Sequence, residues 1–245
     1  MPNSGKARPP EDYSNYLETE KPLFIVGGQA VNLWALYYAG VADDYAPFVS
    51  RDIDVLGNRD TLREIAILVG LRPNFFPLKP PSNEVGYVAP KDEADEPFLI
   101  EVLKWVNGVT GDELMTDSVI IGIGSKKVPV RVPSPVMLLK AKLANLDSIN
   151  QHGRQDAKHV YILFRLLPYY LNDLVASVEV GKRTEREIVN ILGTLLDIVS
   201  EARNQTSIKK LQLDSAELFK ELPKNGLAKI TSFTKHQLKR VFPSG

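Results

Sequence analysis

Four apolar residues, Leu23 to Val26, run into a glycine pair, Gly27 and Gly28, and then into an apolar stripe at Val31, Leu33, Trp34, Tyr37 and Tyr38 that closes at Gly40. This order constrains the fold more than any other feature. A short apolar run predicts a buried strand, the stripe an amphipathic helix, and the glycines a turn between them. A second unit of the same kind follows: SRDIDVLG, Ser50 to Gly57, reads as a strand, and Leu62, Ile65, Ala66 and Val69 recur at helical spacing behind it. A further strand is predicted at PFLIEVLKWV, with one acid inside it, Glu101. A short one is predicted at VGYVA, within the Pro-, Asn- and Asp-rich stretch 71–97, which otherwise reads as loop or edge. SVIIGIG and KKVPVRVP predict a hairpin turning at Gly124 to Lys126.

Ser134 and Pro135 suit the N-cap and first position of the next helix. From about Asp156 onward the stripes are helical almost to the end, broken at Pro168, Gly181 and Pro223. The expected class is α+β: a mixed sheet flanked by helices, followed by a helical C-terminal region. The expected division is 1–133 and 134–245. Residues 1–20, polar and carrying a Pro-Pro pair, read as a loosely ordered arm or a first short helix with little chemistry.

Composition narrows the function classes. Across 245 residues, 30 basic and 30 acidic side chains cancel, so partners have to be read locally. With no cysteine, disulfides, zinc ribbons and thiol catalysis are excluded. The N-terminus has no signal-peptide core, and no run reaches the roughly 20 apolar residues of a spanning helix. The expectation is a cytoplasmic protein that does not enter membranes. His152, His159 and His236 lack metal-site spacing.

The chemistry begins at Asp52 and Asp54. On a strand they point to one face about 7 Å apart, with Ile53 and Val55 pointing to the other. Two like charges on a sheet face repel, and burying either unpaired costs several kcal/mol. A divalent cation between them removes both problems, and Mg²⁺ favours one or two carboxylates with waters and substrate phosphates. Glu101 shares a strand face with Leu99 and Leu103, so an adjacent pairing would bring it beside the aspartates. Three acids around one or two ions is the composition of a phosphoryl-transfer centre. Gly27 and Gly28, at a helix start, let backbone amides approach a phosphate. The plainer readings are a capping or solvated first aspartate and a glycine turn that is only a turn.

The order VGGQAVNLW followed by SRDIDV resembles the nucleotidyltransferase superfamily built like DNA polymerase beta. The likeness is greatest to its minimal prokaryotic members, including the AbiEii-like toxins, and covers about residues 23–165. It implies that Asp52 and Asp54 bind Mg²⁺, or Mn²⁺ in its place, with a nucleoside triphosphate such as ATP, and that Gly27 and Gly28 hold the phosphates. Many members have serine at the second glycine; Gly28 leaves backbone amides and Gln29 for that work. Glu101 matches the optional third carboxylate, as a metal ligand or as the group that activates the attacking hydroxyl.

On a helical wheel Lys142 falls inside an arc of Val136, Leu138, Leu139, Leu143 and Leu146, so it needs a partner or must snorkel; Lys140 lies outside the arc and reads as solvated. KLANL with RQDAKHV looks like the family's lysine and R-x-x-D pair. The resemblance then puts Lys142 on the triphosphate and makes Asp156 a base, an orienter of Lys142 or an aid to metal binding. A helix-start acid favoured by the dipole is the alternative for Asp156.

The expected activity is transfer of a nucleotidyl group from the triphosphate to a hydroxyl acceptor, releasing pyrophosphate. The acceptor is tRNA, as for toxins paired with a cognate antitoxin, or a protein. The alternatives are an inactive nucleotide- or partner-binding protein of the same fold and an aminoglycoside-type small-molecule nucleotidyltransferase. The basic stretches KRTER and KHQLKR either face water or meet an RNA backbone.

Overall fold

A computed structural model describes residues 6–79, 82–92, 94–223 and 226–243. The chain divides into two compact units, 1–141 and 142–245, so the division falls inside a helix rather than at its start. Positions 1–5 of the expected arm lie outside the described residues.

The first unit is built on a seven-stranded mixed sheet of order β3-β4-β5-β2-β1-β7-β6. Its strands are β1 (Leu23–Val26), β2 (Asp52–Leu56), β3 (Asn74–Phe75), β4 (Glu84–Val88), β5 (Leu99–Leu103), β6 (Val119–Ile123) and β7 (Val128–Val132). β2 runs antiparallel to β1 and parallel to β5, and β1 parallel to β7. Helix α1 (Gly27–Tyr37) follows β1 with no intervening loop, and α2 (Arg59–Leu68) follows β2 behind an Asn58 cap whose side chain accepts from the Asp60 and Thr61 amides. Ile25, Ile53, Val55, Ile100 and Val102 are fully buried, as are Leu62 and Ile65 of α2. Each such side chain contributes about 1.5–3 kcal/mol of burial. One face of β2 and β5 is thereby committed to the core, which leaves the acids on the other.

The stretch 71–97 holds more structure than expected, since β3 and β4 extend the sheet to its edge there. Of the two readings of the arm, the short helix is the one observed. It folds as a short 3-10 helix, Pro10–Tyr16, with Tyr13 and Leu17 fully buried. Helix α3 (Gly111–Met115) starts in a Thr110 capping box, and its Glu113 pairs with Lys140, so that lysine is not simply solvated.

Helix α4 (Pro135–Ser148) carries the chain across the division; its first turn is capped by Ser134, whose hydroxyl accepts from the Met137 amide. The second unit is helical: α5 (Asp156–Glu179), α6 (Glu185–Ser200), α7 (Ala202–Lys210) and a final helical run through α8 (Ala228–Ser232). Pro168 was expected to break α5 and lies inside it. A proline there forfeits a hydrogen bond, but buried Leu166, Leu167, Tyr170 and Leu171 on both sides hold the helix together. The α+β class is as expected. No helix among the described residues is long and apolar enough to cross a membrane.

Candidate active site

In the first unit, β2 and β5 pair in parallel with Asp52 opposite Leu99 and Asp54 opposite Glu101. Strand neighbours in register lie about 4.8 Å apart and share a face, so the expected adjacency of Glu101 to the aspartates is present in the backbone. One row of residues crosses the sheet here: Tyr87 on β4, Glu101 on β5, Asp54 on β2 and Val26 on β1. Asp52, Asp54 and Glu101 are half-buried on this face. Burial pushes the Glu101 carboxyl up to about 7, and the negative charges of Asp52 and Glu84 push in the same direction. Glu84 was not singled out from the sequence; only its place on β4, next to β5, reveals it.

Gly27 follows Val26, the last residue of this row. Its φ is +67°, and a Cβ added there would lie 1.9 Å from Asp54 Oδ2. Glycine is therefore required twice, for a left-handed backbone and for the close seating of the Asp54 carboxylate. The sequence suggested a phosphate role for Gly27; its first demand is the approach of this acid. Gly28 sits in the opening turn of α1.

Gln29, expected at the phosphates, has both ends of its amide committed inside the fold. It is 1% exposed, donates from Nε2 to the Arg8 carbonyl at 3.0 Å and accepts from Asn32 Nδ2 at 3.1 Å. Its side chain is thus not free to hold a ligand.

The second unit holds the other expected pair. Lys142, 5% exposed, places its ammonium 2.9 Å from Asp156 Oδ1. Asn145 Nδ2 donates to the same oxygen at 3.2 Å, and Arg154 Nε donates to Oδ2 at 2.7 Å. The partner that Lys142 required from inside its apolar arc is Asp156. Burial alone would raise the Asp156 carboxyl, but Lys142 and Arg154 hold it well below the usual carboxylate range. So weak a base is a poor proton acceptor. Of the three roles considered for Asp156, this arrangement fits the orienting of Lys142 best. His159, a turn further along α5, is buried, and neither ring nitrogen is hydrogen-bonded among the described residues. Burial lowers its pKa to about 3, Lys142 adding to the shift.

The carboxylate face suits a hard divalent cation. Its donors are oxygens, one of them seated on Gly27 where no side chain could intrude, and Glu101 is held against ionisation by neighbouring negative charge that a cation would relieve. Among the described residues no three His, Cys, Asp or Glu side chains come close enough to hold a metal on their own. Mg²⁺ takes one or two protein carboxylates beside waters and phosphates, so a pair of acids on this face would be enough to hold it.

No protein-family model matches the chain, and no curated protein matches its sequence.

Proposed function

We propose that the chain is a Mg²⁺-dependent nucleotidyltransferase of the DNA polymerase beta type, acting in the cytoplasm where its nucleoside triphosphate donor is made. The observation that carries this reading is the seating of Asp54 on Gly27 with Glu101 in register beside it and Asp52 on the same face. Asp52 and Asp54 are the carboxylates that would hold the ion. When bound, Mg²⁺ supplies electrostatic neutralisation of the triphosphate oxygens. Glu101, beside that pair, takes the proton from the acceptor hydroxyl as its oxygen bonds to the α-phosphorus and the bond to pyrophosphate breaks. The amides at the start of α1 face the phosphates. Lys142 and Asp156 enter on the resemblance alone, Lys142 as a triphosphate contact and Asp156 as the group that orients it.

The acceptor is a macromolecular hydroxyl, of tRNA or protein, and tRNA carries with it the toxin reading and a cognate antitoxin. Incubation of the protein with each α-labelled triphosphate, Mg²⁺, and total RNA or cell lysate should place label in RNA or in protein. Glu101→Gln should lower the rate by about 10²-fold or more while leaving Mn²⁺ binding in place.

A further inference from the structure

The segment 8–16 reaches both carboxylate strands. On the β2 side, Arg8 N donates to the Ser50 carbonyl at 2.7 Å and Ser50 N to the Arg8 carbonyl at 3.0 Å. The Tyr13 hydroxyl donates to the same Ser50 carbonyl at 3.4 Å. Ser50 is thereby fixed two residues before Asp52, where its hydroxyl donates to Asp52 Oδ1 at 3.0 Å. On the β5 side, Arg8 Nη1 pairs with Asp92 Oδ2 at 2.6 Å, and the Tyr16 hydroxyl donates to the Lys91 carbonyl at 3.2 Å. Tyr13 and Tyr16 both meet the Phe98 ring edge-on, at centroid distances of 5.3 and 4.7 Å. Phe98 leads directly into Leu99, the register partner of Asp52.

We propose that segment 8–16 is a positioning clamp for the metal-binding carboxylates, with Ser50 the residue that orients Asp52; the inference rests on the metal role given to Asp52 above. The torsion that turns a carboxylate is broad and soft, so an Asp52 without a fixed donor would sample many orientations. The Ser50 hydroxyl selects one. Arg8 and Tyr13 act one step further out. They hold the Ser50 backbone and the chain before β5 to one segment, anchored by buried Arg8 and Tyr13, so the two acid-bearing strands are tied together at this end. Hydrogen-bond partners behind a ligating carboxylate typically contribute 10–100-fold to metal affinity.

The test is Mn²⁺ binding to the full chain, read by electron paramagnetic resonance of the free ion without nucleotide, alongside thermal unfolding. Ser50→Ala should weaken binding about tenfold or more with an unchanged thermal midpoint, and Ser50→Thr, which keeps the hydroxyl, should restore most of it. A Ser50→Ala curve that overlays the wild type overturns the clamp and leaves the nucleotidyltransferase reading standing. So does a loss that Ser50→Thr fails to restore, since the hydroxyl would then not be the group responsible. A wild-type chain that binds no Mn²⁺ overturns both. If Ser50→Ala lowers the thermal midpoint, Tyr13→Phe carries the same comparison, because it removes a hydrogen bond to Ser50 and keeps the ring; unchanged affinity there overturns the clamp.

Discussion

Gly27 carries two constraints that have to be met together. Its positive φ would strain any side-chain-bearing residue by about 1–2 kcal/mol, and its missing Cβ is what lets the Asp54 carboxylate sit where it does. Gly27→Ala should therefore destabilise the fold by more than that amount in urea unfolding, because the Asp54 side chain must also shift, and should weaken Mn²⁺ binding more than the stability loss alone explains. Equal Mn²⁺ affinity in this variant would show that the seating of Asp54 does not matter to the ion. The residue identities were legible in the sequence: a glycine pair, two alternating acids and a third on another strand are local patterns. Gln29 was misread for an equally physical reason. Its partners are the Arg8 carbonyl and Asn32, and the first of these lies 21 residues away on a segment whose docking no local pattern announces.

Among the elements, the junction of α4 and α5 is held by charge in a buried place. Lys142 and Asp156 are both almost fully buried and each replaces hydration that the other has given up, while Asn145 and Arg154 also donate to Asp156. Asp156→Ala leaves a buried ammonium unpaired and should cost about 3–5 kcal/mol in chemical denaturation, whereas the apolar double replacement Lys142→Met with Asp156→Leu should recover most of it. Failure of the double variant to recover would mean that the site needs its charges for packing. The pair was readable because a lysine inside a leucine arc demands a partner. The continuity of α5 through Pro168 was not, because the packing that outweighs one lost hydrogen bond comes from distant helices. The same holds for the N-terminal arm. Its composition left a loose arm and a short helix both open, and the docking that decides between them depends on Ser50, Asp92 and Phe98, all far along the chain.

For the molecule as a whole, the change from mixed sheet to helices follows from periodicity and was legible. Stability against acid is also a property of the whole chain, and His159 should set part of it. In the unfolded chain a histidine takes up a proton below about pH 6.5, whereas buried His159 refuses one until about 3. Between those values the unfolded state binds more protons, so stability falls as pH is lowered, by up to about 1.4 kcal/mol per pH unit. Unfolding free energies measured from pH 7 to 4 should show this slope, and His159→Leu should flatten it. A slope unchanged in that variant would mean that other groups supply it.

On the proposed reading, Asp52 and Asp54 hold a cation for transfer of a nucleotide. The most direct measurement is label transfer from an α-labelled nucleoside triphosphate to RNA or protein by the wild type, Asp52→Asn and Asp54→Asn, with circular dichroism of each. Transfer by the wild type that is lost in both folded variants is the expected result. Full transfer by both variants, or none by the wild type with any triphosphate, would contradict it.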